Sequence, residues 1–109
     1  MACHHIDEIR KRRIKWAFTT RNVGLENVNT LLTDPAQPSP GDLLLARVDR
    51  IGQHPKLELT TSRRAELFVG DEIAVVYGNR YAPDQFEAIV PDRIAPCHLV
   101  AAGGVAARL

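Results

Sequence analysis

Asp71-Glu-Ile-Ala-Val-Val-Tyr-Gly-Asn-Arg-Tyr-Ala-Pro-Asp-Gln-Phe-Glu87 decides how the chain folds, because it reads as a strand, a polar loop and the start of a second strand. Ile73, Val75 and Tyr77 share one face and Ala74 and Val76 the other, as a pleated strand rich in β-branched residues requires. Gly78, Asn79 and Pro83 then stop it. The loop from Tyr77 to Glu87 gathers Asn79, Arg80, Tyr81, Asp84 and Gln85. Arginine beside tyrosine, with a carboxylate close behind, is a combination common on recognition surfaces. These residues, together with His98, are the expected ligand- or partner-binding set. The competing reading pairs Arg80 with Asp84 and lays Tyr81 over the end of the fold.

Outward from this stretch the apolar pattern is mostly that of strands. Downstream, Phe86, Ala88 and Val90 share a face, Cys97 to Ala101 forms a last strand, and Gly103-Gly104 sets off an alanine-rich tail. Upstream, Leu43 to Val48 is apolar on both faces at its start, where Leu43, Leu44 and Leu45 run together. Leu57 and Leu59 alternate with polar neighbours, and Ala65 to Val69 follows the Ser62-Arg63-Arg64 turn. Gly41-Asp42 and Gly70-Asp71 each precede an apolar strand, 29 residues apart, which reads as a weak internal repeat.

Nearer the amino terminus the period changes twice. Ile14, Trp16 and Phe18 alternate with polar or small residues, predicting a strand anchored by the only tryptophan. Leu25, Val28 and Leu32 recur at helical spacing behind Asn22 as N-cap, predicting a helix over 23–32. Pro35, Pro38 and Pro40 make 33–41 a connector. Residues 1–13 read as a basic arm or short helix, since only Ile6 and Ile9 offer an apolar stripe. The predicted fold is mainly β (α+β): a small closed or partly open β-barrel of six or seven short strands with one amino-terminal helix, forming one domain over 14–109. Trp16, Leu44, Val48, Ile73 and Val75 are expected to point inward.

Composition narrows the function classes. A chain of 109 residues, 45% apolar, supports a single modest core. Fourteen basic and thirteen acidic residues leave a net charge of +1, too little to drive the whole molecule onto nucleic acid or an anionic membrane. Two cysteines make no disulfide scaffold, nothing resembles a signal peptide, and charges or prolines interrupt every apolar run, so the expectation is a soluble cytoplasmic protein without membrane contact.

The remaining chemistry is local. Cys3, His4, His5, Cys97 and His98 are of the types zinc prefers, but no Cys-x-x-Cys or His-x-x-x-His spacing is present, so no metal or other cofactor is expected. A Cys97/His98 nucleophile pair lacks any indicated base-orienting group or oxyanion site, so no catalytic residue is assigned; an enzyme is the third-ranked reading. The basic run Arg10, Lys11, Arg12, Arg13 and Lys15 supports the second reading, single-stranded nucleic-acid binding by a small barrel. A solvated charged segment is the plainer account of that run. His54 sits in a turn and reads as surface polarity.

Pro40-Gly-Asp-Leu-Leu-Leu-Ala-Arg-Val48, Ile51-Gly-Gln-His54, the stretch from Val69 to Ala88, and Cys97-His-Leu-Val-Ala-Ala-Gly-Gly-Val-Ala106 resemble the amino-terminal β domain of uncharacterised bacterial proteins. In those proteins the chain continues into a P-loop nucleotide-binding domain. The resemblance covers most of residues 14–108 and implies no activity of its own. It implies an excised domain or a stand-alone relative, because this sequence stops at Leu109 without the nucleotide site. The leading reading is therefore a non-catalytic binding or regulatory module, accessory to a P-loop nucleotide-binding domain or recognising a small-molecule ligand.

Overall fold

The computed structural model describes residues 3–23, 28, 30–32, 37–52, 54–82, 86–92 and 94–108, and over these the chain is mainly β with one short α-helix. In chain order the elements are β1 (Cys3–His5), α1 (Glu8–Arg13), β2 (Lys15–Trp16), a 3-10 turn (Phe18–Thr20), β3 (Thr30–Leu32), β4 (Leu43–Arg47), β5 (Lys56–Glu58) and β6 (Arg64–Glu66). There follow β7 (Glu72–Tyr77), β8 (Arg80–Ala82), β9 (Phe86–Ala88), β10 (His98–Ala101) and β11 (Val105–Ala107).

Strand β7 is the centre of the sheet, as its two-faced apolar pattern requires. On one edge it pairs antiparallel with β4, Leu43 opposite Val76 and Arg47 opposite Glu72. On the other edge two parallel strands follow one another, β2 beside Ile73 and Ala74 and β11 beside Val76 and Tyr77. The bonds Ala17 N–H to Ala74 O and Val76 N–H to Gly104 O, each 3.0 Å, put both on the side away from β4. Strand β10 then pairs with β11. Ile73, Val75 and Tyr77 enter the main core with Ala17, Leu57, Leu67 and Ala106, while Ala74 joins Ile6 and Ile14 on the opposite face.

The 29-residue repeat is the frame of the β4–β7 pair. Gly41 and Gly70 both have positive φ, +91° and +95°, a conformation glycine adopts without strain. The Asp42 carboxylate accepts from Ser39 N–H and the Asp71 carboxylate from Phe68 N–H, both at 2.9 Å. Each turn then grips the far end of the other strand. Gly41 N–H donates to Tyr77 O and Tyr77 N–H to Asp42 O, just as Gly70 N–H donates to Val48 O and Val48 N–H to Asp71 O. Tyr77 and Val48 are themselves 29 residues apart, so the pair has an approximate two-fold relation.

The fold-class expectation holds in its coarser form, mainly β with one short helix, and two others are corrected. The strands form a five-stranded sheet and three two-stranded ribbons, and among the described residues they do not close into a barrel. The predicted helix over 23–32 does not extend through its end: Thr30–Leu32 is strand β3, paired with β1, and 24–27 and 29 lie outside the described residues. Three apolar residues at helical spacing were too thin a stripe to outweigh that pairing. The strand expected through Phe18 ends at Trp16, and the fully buried residue is Ala17, beyond which the chain turns into the 3-10 segment. The amino-terminal segment does form a helix, capped by Asp7, whose carboxylate accepts from Arg10 N–H at 2.8 Å.

Candidate functional site

Strands β4 and β10, like β2, are terminal strands of the five-stranded sheet. Between them runs a groove of about 690 Å³, bounded by Leu44 to Gly52 on one side and Ile94 to Leu99 on the other. Its floor is the main core: Leu67, Ile73, Val75 and Ala106 reach it from below. Residues with even numbers in β4, Leu44 and Ala46, pack against that core together with Val48, so they face the floor. Ile51 and Ile94 stand at the rims, 40% and 49% exposed. An open apolar trough at a sheet seam, rather than a sealed cavity, suits an elongated occupant.

The polar lining is unequal in charge. Arg47, Arg50, His54 and His98 meet a single carboxylate, Asp49. Cys97 also lines the groove, and burial raises its thiol pKa above the ordinary value, holding it in the protonated form that is a poor nucleophile. Nearby, the Tyr77 hydroxyl is buried without a hydrogen-bond partner among the described residues, and burial raises its pKa too. Burial thus favours the neutral forms of Cys97 and Tyr77, while Arg47 and Arg50 place positive charge along the lining. No group of three or more His, Cys, Asp or Glu residues that could hold a metal occurs among the described residues. Nor is any described helix long and apolar enough to cross a membrane.

The residues singled out by sequence do not come together here. The loop carrying them is a hairpin, β8 with β9, in the register Arg80–Ala88, Tyr81–Glu87 and Ala82–Phe86. Asn79 is exposed, and its side-chain oxygen accepts from Val90 N–H at 2.8 Å, fastening the base of the hairpin. Asp84 and Gln85 lie outside the described residues, as do the side chains of Arg80 and Tyr81. His98 alone of the expected set lines the groove.

The basic run is docked on the sheet rather than extended as an arm. Arg10 makes a bidentate pair with Glu72, Nε to Oε1 at 3.0 Å and Nη2 to Oε2 at 2.7 Å. Lys15 Nζ holds the Asp71 carboxylate at 2.5 Å and the Glu66 carbonyl at 2.8 Å. Both carboxyl groups are thereby pulled below their ordinary pKa, Glu72 by Arg10 and Asp71 by Lys15 and then the Phe68 N–H. Lys11 is buried, and its carbonyl accepts from Trp16 Nε1 at 3.1 Å. Arg12 and Arg13 are exposed. Three of the five cations therefore serve the fold.

Sequence reasoning overlooked Arg47, Asp49, Arg50 and the groove itself. The available signal was Leu43-Leu44-Leu45, apolar on both faces in a strand that sits at the edge of its sheet. Comparison with protein-family models, with curated proteins and with solved structures returns no match.

Proposed function

We propose that this chain is a non-catalytic binding module whose recognition site is the groove between β4 and the Ile94 to Leu99 segment. In this reading the fold is a partly open barrel, and the groove is its open seam. The observation that carries it is the pairing of an apolar floor with a rim of Arg47, Arg50, His54 and His98 against one carboxylate, in a groove of about 690 Å³. That combination selects an anionic group on an apolar body. The resemblance to the amino-terminal domain of P-loop proteins supports an accessory role, in which a nucleotide-binding partner domain supplies the chemistry and this module the recognition. The protonated state favoured for Cys97 supports binding rather than covalent catalysis.

The test is titration of the folded protein with anilinonaphthalene sulfonate, an apolar anion whose fluorescence rises on leaving water. Saturable binding is expected. Arg50→Glu should weaken it about tenfold, equivalent to about 1.4 kcal/mol, and Ala46→Phe should block it by filling the floor. Both variants are checked by thermal melts. Absence of saturable binding, or binding that neither substitution changes, would remove the groove as the site.

A further inference from the structure

We infer that the occupant of the groove is an extended acidic peptide segment that adds as a strand to the free edge of β4. The inference rests on the groove being the recognition site and goes further, naming the ligand class and the atoms that hold it.

The argument begins with parity. In an antiparallel pair, opposed residues alternate between those that exchange both backbone hydrogen bonds and those that exchange none. The bonds Tyr77 N–H to Asp42 O and Val48 N–H to Asp71 O fix this alternation at both ends of β4. Leu44 and Ala46 therefore bond to β7, and Leu43, Leu45 and Arg47 point their N–H and C=O groups the other way. The partners of these three across the ladder agree. Ala74, opposite Leu45, gives its carbonyl to Ala17, and Val76, opposite Leu43, gives its N–H to Gly104, both away from β4. Among the described residues β4 pairs with no strand but β7, and its outward groups make no backbone bond to any of them.

An open edge is a template for pairing, and proteins ordinarily blunt it with prolines, charges or bulges. The β10 edge of this sheet is blunted in that way. Pro96 precedes β10, and the register of β10 shifts between Leu99 and Ala101. Strand β4 has no register shift, its nearest proline, Pro40, stands before the Gly-Asp turn, and its one charge lies at its end. It presents Leu43, Leu44 and Leu45 in succession, with Leu43 40% exposed and a charge only at Arg47. The unprotected edge is also the one that borders the groove.

The occupant's chemistry follows from the two faces. A strand laid along β4 turns alternate side chains onto the floor beside Leu44, Ala46 and Val48, where apolar residues fit. The intervening side chains fall on the face of Arg47, which shares Glu72 across the ladder with Arg10, while Arg50 lies beyond it and Asp49 is the one carboxylate lining the groove. Carboxylates at those positions meet opposite charge. The geometry thus selects alternating apolar and acidic residues, held by main-chain bonds to Leu43, Leu45 and Arg47.

The probe is a short N-acetylated peptide of alternating valine and glutamate, labelled for fluorescence polarisation, against its valine–lysine counterpart and a version N-methylated on alternate amides. The acidic peptide should bind, displace anilinonaphthalene sulfonate and exceed the lysine peptide in affinity by about tenfold or more. N-methylation in the phase that faces β4 should reduce affinity by a similar factor, since it removes the bonding hydrogens. Amide exchange at Leu43, Leu45 and Arg47 should slow at least about tenfold in the complex, while Leu44 and Ala46, already bonded to β7, change less. Leu43→Pro, which deletes an outward N–H from an exposed first strand position, should weaken the peptide more than the sulfonate dye.

Dye binding without peptide binding, or a peptide indifferent to N-methylation in either phase, would overturn strand addition and leave the groove standing as a site for small anions. Failure of both ligands would overturn both readings. Should the free protein prove dimeric by light scattering, with the three outward amides already protected, the occupant is a second copy of this chain and the peptide assignment falls.

Discussion

Strands β4 and β7 begin with the same Gly-Asp turn and stand in one repeat, yet they have opposite fates in the sheet. Strand β7 is flanked on both edges, by β4 on one and by β2 and β11 on the other, and Ile73, Ala74, Val75 and Tyr77 are all buried. Strand β4 is flanked on one edge, and none of its five residues is buried. A shared turn thus fixes the pairing of two strands without fixing what lies beyond them. The flanks come from elsewhere in the chain: β2 lies far before β7 in sequence and β11 well after it. Where such neighbours arrive, the strand becomes core; where none arrives, it becomes the wall of a groove.

The largest test of this contrast uses glycines with positive φ on each side. On the crowded flank, a methyl group on Gly104, at φ +102°, would collide with the buried Ala17 side chain and come within 2.8 Å of Thr19 Oγ1. Gly104→Ala should therefore cost about 4 kcal/mol or leave the chain unfolded, combining backbone strain with overpacking. At the turn into β4, a methyl on Gly41 would meet open space, so Gly41→Ala should cost only the strain of φ +91°, about 1 to 2 kcal/mol. Denaturant unfolding of the two variants measures the difference. Equal losses would mean that the two flanks are equally packed and that the contrast is wrong.

A smaller effect is expected where the repeat places equivalent side chains. Ile73 and Leu44 are 29 residues apart and both face the main core. Ile73 lies at the floor of the groove but is only 5% exposed, and Ile73→Ala should cost about 3 kcal/mol, chiefly through the burial it loses. Leu44 lines the groove and is half-buried, so Leu44→Ala enlarges a space already open to water and should cost about 1 kcal/mol. Matching losses in thermal or denaturant melts would show the groove to be filled in solution.

How much of this was legible in advance depends on how local each feature is. The two faces of β7 followed from Ile73 to Tyr77 alone, and the Gly-Asp repeat was visible from two dipeptides, although its role in clasping β4 to β7 was not. Features made by distant segments left no periodic trace. Thr30–Leu32 became a strand because Cys3–His5 lies beside it. Beyond the two-faced apolar start of β4 the groove is not legible in either wall, since Leu44 to Gly52 and Ile94 to Leu99 meet only after the sheet has formed. The basic run misled for a related reason. Arg10 and Lys15 read as a solvated stretch until Glu72 and Asp71 are placed against them.

Those two ion pairs supply the smallest and last contrast. They sit at the turn into β7, whereas the equivalent Asp42, at the turn into β4, has no ion pair among the described residues. Asp71 and Glu72 have folded pKa values below their ordinary ones, chiefly through hydrogen bonds from Lys15 and Arg10. A carboxyl with a lowered folded pKa binds protons more readily when unfolded, so its stabilisation is full above the unfolded value near 4 and is lost as pH falls through the lowered folded value. Solvent screens both pairs, since their side chains remain 22% to 36% exposed, and each should contribute only about 0.5 to 1 kcal/mol. Stability measured by denaturant between about pH 7 and pH 3 should fall, and Arg10→Met with Lys15→Met should flatten that fall by about 1 to 2 kcal/mol while lowering stability mainly at the neutral end. If the double variant keeps the full acid dependence, the pairs do not anchor α1 and β2 to the turn into β7, and some other carboxylate governs the acid limb. A flattened profile would show that β7 is held at its first residues by the amino-terminal segment, a tie that β4 lacks.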